Sequence, residues 1–179
     1  MRHLLAVLLI TSAGFAPVSA EETSYNKGVE AWRAKDFAEA RKQWERSLAE
    51  GGPDEALNNL AFLLYHGLGG DARPAKAVEL WRKGAVLAVS EAQLHLGKAY
   101  EVGIGVEKSL TTAYAWYRCA KATSGNLSKT DTIEAEIERA AISAIDKLSP
   151  GLTPLERVEG DKLAATWISK YATRLSTKP

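Results

Sequence analysis

The chain has 179 residues, room for one ordinary domain, and at 46% hydrophobic and 25% charged it has a globular composition. Its net charge is only +1 and it carries no long Lys/Arg block, so it lacks the basic footprint of a nucleic-acid binder. The single cysteine, Cys119, excludes an internal disulfide framework.

The N-terminal stretch "MRHLLAVLLITSAGFAPVSA" has a short basic start, an apolar run from Leu4 to Ile10, and small residues at Val18 and Ala20. That pattern predicts a secretory signal peptide over residues 1–20, cleaved after Ala20. The apolar run is too short, and too broken by Thr11, Ser12, Gly14 and Pro17, to act as a membrane anchor. Loss of Arg2 brings the basic residues level with the 22 acidic ones, so the mature chain is near neutral. No later segment is apolar enough to span a membrane, and the mature chain is expected to be soluble.

Residues 21–52 read as a first helix pair joined by the short connection "AKDF". Gly28, Ala40, Trp44 and Ser47 give it a small, small, large, small spacing, and Pro53 follows. Residues 53–88 and 89–124 then repeat one another at an offset of 36. Ala56 meets Ala92, Leu60 meets Leu96, Ala61 meets Gly97, and Leu64 meets Tyr100. Gly67 and Gly69 meet Gly103 and Gly105, Ala77 meets Ala113, Trp81 meets Tyr117, and Gly84 meets Ala120. Within each unit these positions lie at helical spacing on one face, which predicts a helix, a glycine loop and a second helix. A small residue opposite a large one lets two helix axes approach closely. No such unit buries its own apolar face alone, so stacking must supply the core, as in helical solenoids.

Residues 125–179 differ. "SKTDTIEAEIERAAISAIDKL" predicts one helix with Ile133, Ile137, Ala141 and Ile145 on a stripe. After the break "LSPGLTP", Thr153, Pro154 and Glu156 form a capping box for a last helix carrying Val158, Leu163, Ala164, Trp167, Ile168 and Tyr171. Its role would be to cover the open end of the last repeat. Eight helices and no sheet are expected.

"EALNNLAFLLYHGLGGDARPAKAVELWRKGA" and "EAQLHLGKAYEVGIGVEKSLTTAYAWYRCA" resemble Sel1-like repeats, relatives of the tetratricopeptide repeat. Ala92, Leu96, Gly97, Tyr100, Gly103, Gly105, Val106, Ala113, Trp116, Tyr117 and Ala120 carry the resemblance, which departs in the first unit at Ala61, Leu64 and Gly70. The upstream pair resembles a tetratricopeptide repeat, and the "TP…LA..W" tail is similar to the terminal helix of many bacterial Sel1-like proteins. The resemblance implies an all-α, short right-handed α-α superhelical solenoid with a C-terminal capping helix. It also implies a periplasmic adaptor or regulator that binds a protein or peptide through its concave surface. A structural part of a larger envelope assembly is a second reading. A third is an enzyme acting on β-lactams or cell-wall fragments, although this chain lacks the paired cysteines of the family members linked to that chemistry.

Little in the residues points to catalysis. Gly103-Ile104-Gly105 lacks the preceding strand and third glycine of a dinucleotide fingerprint, and its twin at Gly67 and Gly69 makes it a repeated hinge. Gly103 is suited to end a helix in the left-handed conformation, and Ile104 and Val106 are placed to pin the loop to the core. No cofactor is expected. His66 and His95 read as polar residues on helix flanks without a metal-ligand setting, and Cys119 reads as a small packed residue. Glu134, Glu136 and Glu138 read as a solvated helix face.

The groove positions follow by counting from the small residue of each first helix, in tetratricopeptide geometry. One step after it lie Val29, Phe62 and Lys98; four steps after, Trp32, Tyr65 and Glu101; three steps before, Tyr25, Asn58 and Leu94. The candidate partner-binding groove is Tyr25, Trp32, Asn58, Phe62, Tyr65, Lys98 and Glu101. Its aromatics either meet a partner, as hot-spot residues do, or pack against the neighbouring repeat.

Overall fold

A computed structural model describes residues 23–127 and 131–175; the leader expected over 1–20 lies outside the described residues. Among the described residues eight α-helices follow one another: α1 Ser24–Arg33, α2 Phe37–Ala49, α3 Glu55–His66, α4 Pro74–Val86, α5 Ser90–Val102, α6 Leu110–Leu127, α7 Thr132–Leu148 and α8 Pro154–Leu175. A 3-10 turn, Ser149–Gly151, joins the last two. There is no strand among the described residues. The pairs α1/α2, α3/α4 and α5/α6 pack internally, α2 packs on α3 and α4 on α5, and α6 receives both α7 and α8.

Local chemistry sets the helix ends. Thr23, Asp36 and Asp131 accept from backbone N–H groups in the first turns of α1, α2 and α7. The capping box of α8 is formed, with Thr153 Oγ1 accepting from Glu156 N (3.2 Å) and the Glu156 carboxylate accepting from Thr153 N (2.8 Å). Gly67 and Gly103 end α3 and α5 at φ 68° and 80°, where a side chain would be strained. Each loop is then clamped to the helix it leaves: Arg73 N donates to Leu64 O (2.7 Å) and, 36 residues on, Ser109 N donates to Tyr100 O (2.9 Å).

The core is built on one repeated position of the second helices. Trp44, Trp81 and Tyr117 are buried there. Gly28 and Gly97 face two of them so closely that an added Cβ would lie 2.4 Å from the Trp44 indole and 2.7 Å from the Tyr117 ring. The aromatic tips tie back to the first helices. Trp44 Nε1 donates to Tyr25 O, Trp81 Nε1 to Asn58 Oδ1 (3.2 Å), and Tyr117 Oη to Glu101 Oε2. One apolar cluster runs from α2 through α6 and takes in Ala164 and Tyr171 of α8. A smaller one joins Tyr114 and Tyr117 to Leu148 and Leu152.

Three apolar residues do not face inward as expected. Ile104, between the two loop glycines, is 48% exposed, and Val106 alone packs on the core. Ile133 is 64% exposed at the start of α7, whereas Ile137 and Ala141 are buried. On α8 the buried stripe is Gly160, Ala164 and Tyr171, so Val158 lies off it. Gly160 occupies the inward position because Tyr114 leaves no space there for a side chain (2.7 Å to an added Cβ).

Candidate binding groove on the first helices

The first helices of successive units touch through side chains, and these contacts lay out a continuous groove. Between α1 and α3 the rings of Trp32 and Phe62 meet edge-on at 5.7 Å, and Asn59 Nδ2 donates to Tyr25 Oη (3.4 Å). Phe62 meets the His95 ring at 5.5 Å between α3 and α5, and Asn58 Nδ2 donates to Glu91 Oε2 (2.8 Å). From α5 to α7, Ser90 Oγ donates to Glu134 Oε1 (3.0 Å).

The aromatic end of the groove has a volume of about 370 Å³ and is lined by the apolar and aromatic Val29, Trp32, Trp44, Phe62 and His95 together with the polar Asn58, Asn59 and Glu91. Trp32 is 36% exposed even though it packs on Phe37, Trp44 and Phe62. His95 lies flat on Trp81 (5.1 Å, 23° between planes). Asn59 and Glu91 continue into an acidic stretch of about 490 Å³ with Glu55, Asp131 and Glu134, walled by Tyr25, Leu127, Ile133 and Ile137. Burial holds the Glu134 carboxyl above the usual carboxylate range, the Ser90 hydrogen bond opposes this, and the charges of Asp131, Glu91 and Glu55 add to it. Its Oε2 is buried without a hydrogen-bond partner among the described residues.

The structure brings Trp32, Asn58 and Phe62 together in the aromatic end and sets Tyr25 in the acidic stretch. Asn58 is buried, with both ends of its amide engaged inside the fold, so it shapes the wall. The other three lie away from the lining. Tyr65 packs on Trp81 at 5.0 Å, and Glu101 accepts from Tyr117 Oη and pairs with Lys98 (3.2 Å). Counting missed Asn59, Glu91, His95 and Glu134. On α5, stepping back from Lys98 by three and then four residues leads to His95 and Glu91, a helical stripe that the chosen offsets skipped. His95 is therefore a groove residue rather than an isolated flank residue. Glu134 is likewise no part of a solvated face, because α7 runs beside α5.

Elsewhere, Cys119 is buried with its thiol directed at Ala164 O (3.9 Å), and burial pushes its pKa up to about 12 against a smaller opposing pull from Arg118. A bulky aromatic disulfide should therefore not react with native protein and should titrate one thiol after unfolding in denaturant. Rapid native labelling would show that the α6–α8 packing opens. Among the described residues no group of three or more His, Cys, Asp or Glu side chains could hold a metal ion.

The Sel1 repeat family pattern matches residues 54–85 and 90–122. No curated protein sequence matches the chain. Among solved structures, the fold is similar to a protective antigen present in uropathogenic Escherichia coli strains that displays an SLR fold (TM-score 0.71, 23% identity). That alignment covers 87% of this chain and 32% of the antigen. A Sel1 repeat protein from Oxalobacter formigenes is similar at TM-score 0.58 and 24% identity, over 84% of this chain and 55% of that one. This chain thus spans well under two thirds of either protein. The chain therefore contains two Sel1 repeats, each a helix, a glycine loop and a helix built round a buried aromatic, within an all-α fold similar to the SLR fold.

Proposed function

We propose that the protein is an exported, periplasmic adaptor or regulator that holds a protein or peptide in the groove of its first helices. Sel1 repeats generally mediate protein interactions. The observation that carries the reading is the aromatic surface the fold leaves open, with Trp32 and Phe62 lining an apolar recess large enough for a side chain of a partner. The leader pattern supports export. No helix among the described residues is long and apolar enough to cross a membrane.

Crosslinking in the envelope fraction with wild type and Trp32→Ala tests this. A partner should be recovered by wild type and be lost at least about tenfold with the variant, the scale of one aromatic hot spot. The variant should keep its helical circular dichroism. Equal recovery by the variant would remove the groove from the function, and loss of helical signal would make Trp32 a core residue. A stoichiometric complex that cannot be dissociated would favour a fixed part of an envelope assembly over an adaptor.

A further inference from the structure

Resting on that reading of the groove, we infer that its partner is a basic peptide segment, with an aromatic or large aliphatic side chain seated between Trp32, Phe62 and His95 and Lys or Arg side chains reaching Glu91 and Glu134. Charge complementarity carries this. The acidic stretch adjoins the aromatic recess through Asn59 and Glu91, which line both. Glu55, Glu91, Asp131 and Glu134 come to it from α3, α5 and the start of α7, and among the described residues no lysine or arginine lines either part. The mature chain as a whole is close to neutral, so this concentration of one sign reflects position rather than composition. Glu134 is the sharpest sign. Among the described residues its buried Oε2 has no hydrogen-bond partner and its neighbours repel its charge, so the free protein is locally frustrated there. A guanidinium or ammonium group entering beside it would supply both a hydrogen bond and a counter-charge. Spacing an apolar anchor from a cation along one groove also selects sequence, since a peptide lacking either leaves part of the site unpaired.

The experiment is selection from a displayed random-peptide library against the purified mature protein, followed by affinity measurement of the enriched peptides. These should carry Lys or Arg beside an aromatic or large aliphatic residue and weaken as salt is raised. Their affinity should fall about tenfold for each of Glu91→Gln and Glu134→Gln, the scale of one charge-assisted hydrogen bond. Both substitutions keep the size of the side chain, and Glu134→Gln should leave the melting temperature unchanged or raise it. Enriched peptides that are neutral or acidic, or that bind both glutamine variants as well as wild type while losing affinity for Trp32→Ala, would overturn the basic partner and leave the groove standing. Peptides that bind Trp32→Ala and wild type equally, or no enrichment at all, would overturn the groove itself.

Discussion

Trp81→Ala should cost about 4 kcal/mol of folding stability, the range for removing a buried tryptophan. Trp81 is only 2% exposed and sits in the main apolar cluster, with the rings of Tyr65 and His95 against it. The substitution leaves a cavity that its helical surroundings can fill only in part, and it strips Asn58 Oδ1 of its indole donor. Trp81→Phe separates the two effects. It retains most of the packing but not the hydrogen bond, so about 1–3 kcal/mol should be lost. Equilibrium denaturant unfolding of both variants measures this. An unchanged midpoint for Trp81→Ala would mean that the repeat is assembled in another register. The same variant should weaken partner binding, because Trp81 supports the groove from behind through His95 and Asn58.

Gly105→Ala is expected to cost about 3 kcal/mol, from left-handed backbone strain of about 1–2 kcal/mol together with overpacking. Gly105 has φ 79°, and a Cβ there would lie 2.5 Å from the carbonyl oxygen of Pro74 and 2.9 Å from Ala75 N. Those are backbone atoms at the first turn of α4, so no side-chain rotation can relieve the contact. Gly51 provides the control. Its φ is 74° but nothing lies within 4 Å, so Gly51→Ala should show the strain alone, about 1 kcal/mol. Gly69 is the twin of Gly105, and a Cβ there would lie 2.4 Å from the Phe37–Ala38 peptide of α2, so Gly69→Ala should resemble Gly105→Ala. Thermal unfolding of the three variants decides the matter. If Gly105→Ala cost no more than Gly51→Ala, the loops would be simple turns and not contacts between repeats.

That second result refines the role of the paired glycines. The first of each pair is legible from sequence, since a helix C-cap is a local event. The second is not, because the peptide it presses on lies about one repeat earlier in the chain and belongs to another helix pair. The same division explains Ile104, Ile133 and Val158. Their apolar character invites burial, but which face of a helix is covered depends on a neighbour remote in sequence. Gly160 takes the inward position on α8 because Tyr114 of α6 is already there.

The candidate site divides in the same way. Trp32 and Phe62 are found by counting from the small residue of each first helix, because that count stays within one helix. Tyr65, Lys98 and Glu101 follow from the same count yet lie off the lining, the first against Trp81 and the other two near Tyr117. A one-residue change of offset rotates a helical position by about 100° and so moves it off a face.

The sequence by itself determined the all-α class, the 36-residue unit, the glycine ends of α3 and α5, the capping box of α8 and the buried aromatic of each second helix, since these rest on spacing, capping and size within a single unit. Only the tertiary structure decided that an acidic stretch adjoins the aromatic recess. Glu55, Glu91 and Glu134 lie on three different helices, and nothing local to any one of them records that stacking the units brings their carboxylates to the same groove.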